Sequence, residues 1–205
     1  MNPDATAHRQ LERLTLFCDA VFAIAITLLV LEIKVPELHH PNEAALRQAL
    51  VDLLPKGIGF VVSFLVVGSY WARHHQLFAW VRGWDDSLLW SHLRLLLCVS
   101  FIPFPTAFFS EYLSSQTALI LYAASLSVLG LAGYSVARRL QHRPALLDPG
   151  VPLARVASAA RAMLVAPTLC LVAIGLAFVN LDASRICLCL IPLGSAWANH
   201  RMRRI

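Results

Sequence analysis

The chain has 205 residues, of which 58% are hydrophobic and 14% charged, with a formal net charge of +5 and a mean hydropathy of +0.65. A soluble domain of this length cannot hide so much apolar surface, whereas a bilayer can. This composition excludes an ordinary soluble enzyme or nucleic-acid-binding module and predicts an all-α integral membrane protein, one domain over residues 1–205.

The first apolar run extends from about residue 14 to Pro36. It is too long for a signal-peptide core and lacks a small-x-small cleavage site before its Glu32-x-Lys34-x-Pro36 end. Asp19 lies inside it, shortly after Arg13. A carboxylate within a spanning segment is costly and needs a partner, so it marks a functional or assembly site. On a helix wheel, Ile24, Leu28 and Leu31 fall within about 60° of one another, joined by Ala20 and Val35 and flanked by Thr27. Asp19 lies about 140° away. Periodicity alone leaves two readings of that stripe: the lining of a pore between subunits, or ordinary packing against lipid or core.

Five further apolar segments follow, at roughly 50–72, 87–109, 117–138, 157–179 and 184–200. Pro103 and Pro105 predict a kink or break near Phe101–Phe104. The sixth segment is short and holds Pro192. With six crossings, the basic residues sort by side. Arg9, Arg13, Arg73, Arg82, Arg94, Arg138, Arg139, Arg143, Arg155, Arg161, Arg201, Arg203 and Arg204 share one side, which makes thirteen. The other has four: Lys34, Arg47, Lys56 and Arg185. The positive-inside rule then places both termini in the cytoplasm.

Partners for Asp19 are Arg13 and the stretch Tyr70-Trp71-Ala72-Arg73-His74-His75-Gln76-Leu77-Phe78, which ends the second apolar segment at the same face. A carboxylate, an arginine and histidines at one depth can form a charged hydrogen-bond network. His74 and His75 are adjacent, hence about 100° apart on a helix, and are poor joint metal ligands. No metal site and no cofactor is expected. His39 and His40, before Pro41, read as a solvated external loop. His92 and Arg94 read as interfacial, and Trp80, Trp84 and Trp90 as an aromatic belt. The cysteines at 18, 98, 170, 187 and 189 read as buried free thiols. No nucleophile–base set, phosphate loop or carboxylate pair points to an enzyme. The absence of a Thr-Val-Gly-Tyr-Gly filter excludes the ordinary potassium-channel design.

The first run, with Arg13, Phe17, Cys18 and Asp19 followed by Val21 to Pro36, resembles the opening of the bacterial relatives of the lysosomal potassium channel transmembrane protein 175. Tyr70-Trp71-x-x-His74-His75-x-Leu77-Phe78 and Phe101-x-Pro103-Phe104-Pro105-Thr106 resemble later segments of that family. Cys18 stands where the family has serine. The second half agrees only in the number and length of its segments.

The resemblance implies a six-helix subunit of a homotetramer in the inner membrane of a prokaryote, with the first helix lining the pore. It places Ile24 at the narrowest ring, Leu28 and Leu31 in apolar rings beyond it, and ion preference at Thr27. Arg13, Phe17, Cys18 and Asp19, with Trp71 and one or both of His74 and His75, would form a packing network behind the pore. The implied function is a potassium-permeable, weakly selective channel for monovalent cations, with a hydrophobic constriction. Two rivals remain. A secondary transporter would need inward polar groups at mid-membrane, and the hydroxyls of Thr27, Ser63, Ser125, Ser127 and Thr168 are few and able to bond their own helices. A non-conducting scaffold would use Asp19 for assembly alone.

Overall fold

The computed structural model describes residues 3–38 and 42–203, with side chains over 6–38 and 42–198. The His39-His40-Pro41 loop and the side chains of Arg201, Arg203 and Arg204 lie outside the described residues. Every element is helical apart from one isolated antiparallel bridge between Val81 and Leu147.

The helices are α1 (Pro3–Leu31), α2 (Glu43–Asp52), α3 (Leu54–Phe78), α4 (Asp86–Phe101), α5 (Pro103–Glu111), α6 (Gln116–His142), α7 (Leu153–Met163), α8 (Val165–Ala177), α9 (Leu181–Cys189) and α10 (Ile191–Arg203), with a 3-10 turn at Pro144–Leu146. They join into six stretches long and apolar enough to cross a membrane: α1, α2–α3, α4–α5, α6, α7–α8 and α9–α10.

Proline sets the joints. Pro103 follows the break at Ile102, within the expected stretch, and Pro55, Pro167 and Pro192 sit in the first turns of α3, α8 and α10. A proline cannot donate to the carbonyl four residues earlier, and its ring crowds that carbonyl. At Pro167 the released acceptor is the Met163 carbonyl, which takes a hydrogen bond from the Tyr70 hydroxyl at 3.3 Å. The neighbouring Ala162 carbonyl accepts from Arg73 Nη1 at 3.2 Å. α3 thus closes the gap that a proline opens in α7–α8. This places Arg73 inside the bundle, 1% exposed, although it lies past the expected end of the second apolar segment at about residue 72. Its guanidinium also reaches Ser69 at 2.9 Å and lies over the Tyr70 ring.

The first helix ends at Leu31, five residues short of Pro36. Pro36 has no N–H to give the Glu32 carbonyl, so the helix cannot continue through it. Val35 therefore lies beyond the helix and leaves the Ile24–Leu28–Leu31 stripe, as a correction to the wheel. The thiols also divide. Cys18 and Cys170 are buried, Cys98 and Cys187 half-buried, and Cys189 is exposed.

α6 carries the densest packing, against α4, α5, α7 and α8. Gly130 makes this approach possible, because a Cβ there would overlap the Pro167 ring and the Tyr70 hydroxyl. Ser63 joins three helices, its hydroxyl within 2.9 Å of both Thr106 and Tyr122. Asp85 caps α4. The Ser87 amide donates to it at 2.7 Å, and this bond, with Arg143 nearby, holds its carboxyl below the usual range. Gly130→Ala forces Pro167 and Tyr70 apart and is expected to lower stability by about 1–3 kcal/mol, the usual cost of overpacking. Unfolding of the detergent-solubilised protein checks this, with Gly175→Ala, where a Cβ meets nothing within 4 Å, as the control.

Candidate functional site

α1 has two faces. Leu11, Leu14, Cys18, Phe22, Ala25 and Leu29 are buried at helical spacing, against α3, α4 and α5. The opposite face is apolar and has no partner within the subunit. Ile24 is 59% exposed, Leu28 41% and Leu31 67%. Ala20, Ala23 and Thr27 are exposed between them. From Ala20 to Leu31 this helix carries no charge. The Thr27 hydroxyl lies 2.9 Å from the Ile24 carbonyl and 3.0 Å from that of Ala23. Its one proton stays on the helix, while its oxygen lone pairs remain free to accept.

Asp19 sits at the border of the faces, half-buried. Trp71 Nε1 donates to its Oδ1 at 2.8 Å. The Trp71 ring packs against His75, centroids 5.6 Å apart. The next turn of α3 points inward. His74 is buried, packed on Phe22 of α1 and stacked 4.7 Å from Phe78. His92 of α4 meets both His74 and Phe78 edge-on. The two adjacent histidines therefore serve different surroundings, His75 outside with Trp71 and His74 inside against α1 and α4. Neither ring nitrogen of His74 has a hydrogen-bond partner among the described residues.

Some expected members stand apart. Phe17 is 51% exposed. Arg13 is exposed too and makes no ion pair with Asp19 among the described residues. Cys18 is fully buried at the α1 interface. His92, expected at the interface from its position at the start of an apolar segment, is buried in the bundle, with Nδ1 2.6 Å from the Leu88 carbonyl of its own helix. Its spacing from Leu88, Leu95, Leu96 and Val99, all on the inward face of α4, is the signal that would have found it. At the opposite end of α1, a cavity of about 480 Å³ is bordered by Glu32, Lys34, Ser110 and the Lys56–Glu111 ion pair.

A family model described as the endosomal/lysosomal potassium channel TMEM175 matches residues 13–103. A protein of Streptomyces collinus named a potassium channel is 40% identical over 149 residues, covering 70% of this chain and 71% of its own length. This chain belongs to the TMEM175 family. A second relative, from Chamaesiphon minutus and also named a potassium channel, is 32% identical over 180 residues, covering 86% of this chain and 89% of its own. The fold matches the crystal structure of a lysosomal potassium-selective channel TMEM175 homolog from Chamaesiphon minutus, with a TM-score of 0.80 at 30% identity, over 92% of this chain and 97% of that one. The match therefore extends through the half of the TMEM175 fold where sequence resemblance is weak. The protein is a multi-pass membrane protein with bacterial channel relatives.

Within the matched residues, the Trp71–Asp19 bond at 2.8 Å ties α1 to α3 through two side chains. A bond this open to solvent contributes about 1 kcal/mol once water competes for it. A double-mutant cycle of Asp19→Ala and Trp71→Phe is expected to show a coupling of about that size, read from unfolding in denaturing detergent. A coupling near zero would mean that the two side chains do not act together.

Proposed function

We propose that this protein is a subunit of a potassium-permeable, weakly selective cation channel, with Ile24, Thr27, Leu28 and Leu31 facing a central pore between four copies. One observation carries the reading: α1 buries one face in its own bundle and leaves the other apolar, uncharged and unpacked. The names of the relatives from Streptomyces collinus and Chamaesiphon minutus support it.

Ile24 to Leu31 spans about 10 Å along the helix. Rings of isoleucine and leucine offer an ion no oxygen ligands, so a potassium ion must cross with much of its water. Such a constriction conducts when wet and closes when it dries. Discrimination against sodium then rests on the cost of partial dehydration, with the Thr27 oxygens as a polar step inside the apolar stretch. Selectivity is accordingly weak. Behind the pore, Asp19, Trp71, His74 and His75 fix the rotation of α1 against α3. Arg13 and Phe17, exposed on a single subunit, face the neighbouring copy near the mouth. Cys18 packs silently where a serine hydroxyl would need an acceptor. The arginine distribution supports cytoplasmic termini, and the bacterial relatives support a prokaryotic inner membrane.

The test is flux. The purified protein in liposomes is expected to pass potassium and, less readily, sodium. Ile24→Asn keeps the narrow ring wet and is expected to raise the flux several-fold while erasing most of the discrimination. Light scattering of the detergent-solubilised protein is expected to report four copies. A folded oligomer that passes no cation in either form overturns the channel reading in favour of a scaffold. Saturable flux that Ile24→Asn leaves unchanged favours a transporter.

A further inference from the structure

The last turns of α6 carry a feature the channel reading does not use. A cavity of about 380 Å³ is lined by Ser135, Arg138, Arg139, His142 and Arg143. Two of its arginines are anchored on their inner sides to the start of α4. Arg139 Nη1 donates to the Ser87 carbonyl at 3.2 Å, and Arg143 Nη1 to Asp85 Oδ2 at 2.6 Å. A guanidinium has five N–H donors in a rigid fork, so each keeps donors to spare after that anchoring. Arg138 and His142 are exposed and make no hydrogen bond or ion pair among the described residues. Among the described residues Asp85 is the acid that pairs with the group, and its depressed carboxyl keeps it ionised at neutral pH. Three arginines against one carboxylate leave a local excess of positive charge, before any contribution from His142.

The helix surface below continues the site in a different chemistry. Val128, Leu131, Ser135, Arg138 and His142 recur at steps of three and four, within about 80° of one another on the wheel. Val128 is 55% and Leu131 52% exposed. One exposed stripe of α6 thus runs from bare apolar side chains to a basic cavity, over about 10 Å from Leu131 to Arg138. α6 packs against α4, α5, α7 and α8, whereas α1 packs against α3, α4 and α5. The stripe is exposed on the single subunit, and an assembly built on the exposed face of α1, as proposed above, does not call on it.

We propose that this stripe is a binding site for an anionic phospholipid, its phosphate held by Arg138, Arg139 and Arg143 and its acyl chain laid along Leu131 and Val128. Charge decides against a zwitterionic lipid, because its ammonium would meet guanidinium groups. The apolar continuation decides against a free phosphate, which would gain nothing from Leu131 and Val128. Basic pockets beside spanning helices are the usual seats of such headgroups. The arginine distribution assigns the site to the cytoplasmic leaflet, a clause that rests on the orientation given above. The occupancy itself does not rest on conduction.

The experiment is lipid binding by the full-length protein in detergent. Phosphatidylglycerol or phosphatidylcholine is titrated in, bound lipids are counted by native mass spectrometry, and the melting temperature is followed. The wild type is expected to retain phosphatidylglycerol preferentially and to melt higher in its presence, since a ligand of the folded state stabilises it. Arg138→Gln with His142→Gln removes two side chains that bond nothing else, and is expected to weaken phosphatidylglycerol binding about five- to tenfold. Arg82→Gln with Arg161→Gln, exposed arginines counted on the same side, serves as the control and is expected to change it less than about twofold. Equal losses in the two pairs would mean diffuse charge attraction and overturn the site. So would equal binding of the two lipids, or competition by inorganic phosphate as effective as by phosphatidylglycerol. Each readout is binding, so failure here leaves the flux result standing, and a silent channel leaves this site standing.

Discussion

The rest of the structure depends on a constraint that α1 alone bears. It must pack tightly on one side while its other side, equally apolar, meets nothing in its own subunit. In water such a helix would bury both faces. In a bilayer the surroundings are as apolar as the side chains, so no hydrophobic force separates packed from unpacked positions. What fixes the rotation of α1 has to be shape and a few polar contacts. The small and medium residues Cys18, Ala25 and Leu14 admit close approach on one side, with Phe22 inserted between them against His74. The Trp71–Asp19 bond sits at the edge and resists turning. The stripe of Ile24, Leu28 and Leu31 is then what remains outside.

α3 supplies nearly all of these constraints, and its polar residues are placed accordingly. Ser63 joins α5 and α6, Tyr70 and Arg73 take carbonyls of α7, Trp71 holds Asp19, and His74 packs against α1 and α4. These residues spread round the helix because α3 stands between several neighbours. A buried arginine would ordinarily be a heavy cost. Here it is met by backbone carbonyls at the α7–α8 joint, by the Ser69 hydroxyl and by the face of Tyr70. The proline joint and the buried charge are neighbours: Tyr70 takes the Met163 carbonyl that Pro167 leaves free, and Arg73 takes the adjacent Ala162 carbonyl.

This explains what the sequence discloses and what it withholds. Six spans, the break before Pro103 and the source of a partner for Asp19 are local properties: hydropathy, a missing N–H, and the alignment of two helix ends at one face. The burial of Arg73 is not local. It depends on the Ala162 carbonyl, 89 positions away beside the proline joint of a distant helix, which no periodicity records. The burial of His92 is hidden for a related reason. Near a helix start, a titratable residue reads as interfacial, yet the inward face of α4 already reaches full burial at Leu88, one turn earlier. The end of α1 at Leu31 was legible in Pro36, but only by counting back to the carbonyl it cannot satisfy.

α4 finally shows how two regions share one body. Its first turns are fixed on one side by Arg139 and Arg143 of α6, through Ser87 and Asp85. One to two turns later, His92 packs against His74 and Phe78, and His74 touches Phe22 of α1. The anchoring at the α6 rim and the packing behind α1 are thus separated by fewer than ten residues of continuous helix. A helix that short is stiff, so a displacement of its start cannot be absorbed before His92. Rotation of α1 would press Phe22 on His74 and His74 on His92, and the arginine clamp would oppose the resulting tilt of α4. The apolar face of α1 is therefore held in register from two sides, by Trp71 directly and by α4 through the contacts of His92 with His74 and of His74 with Phe22, with the second restraint set by the charges at the start of α4.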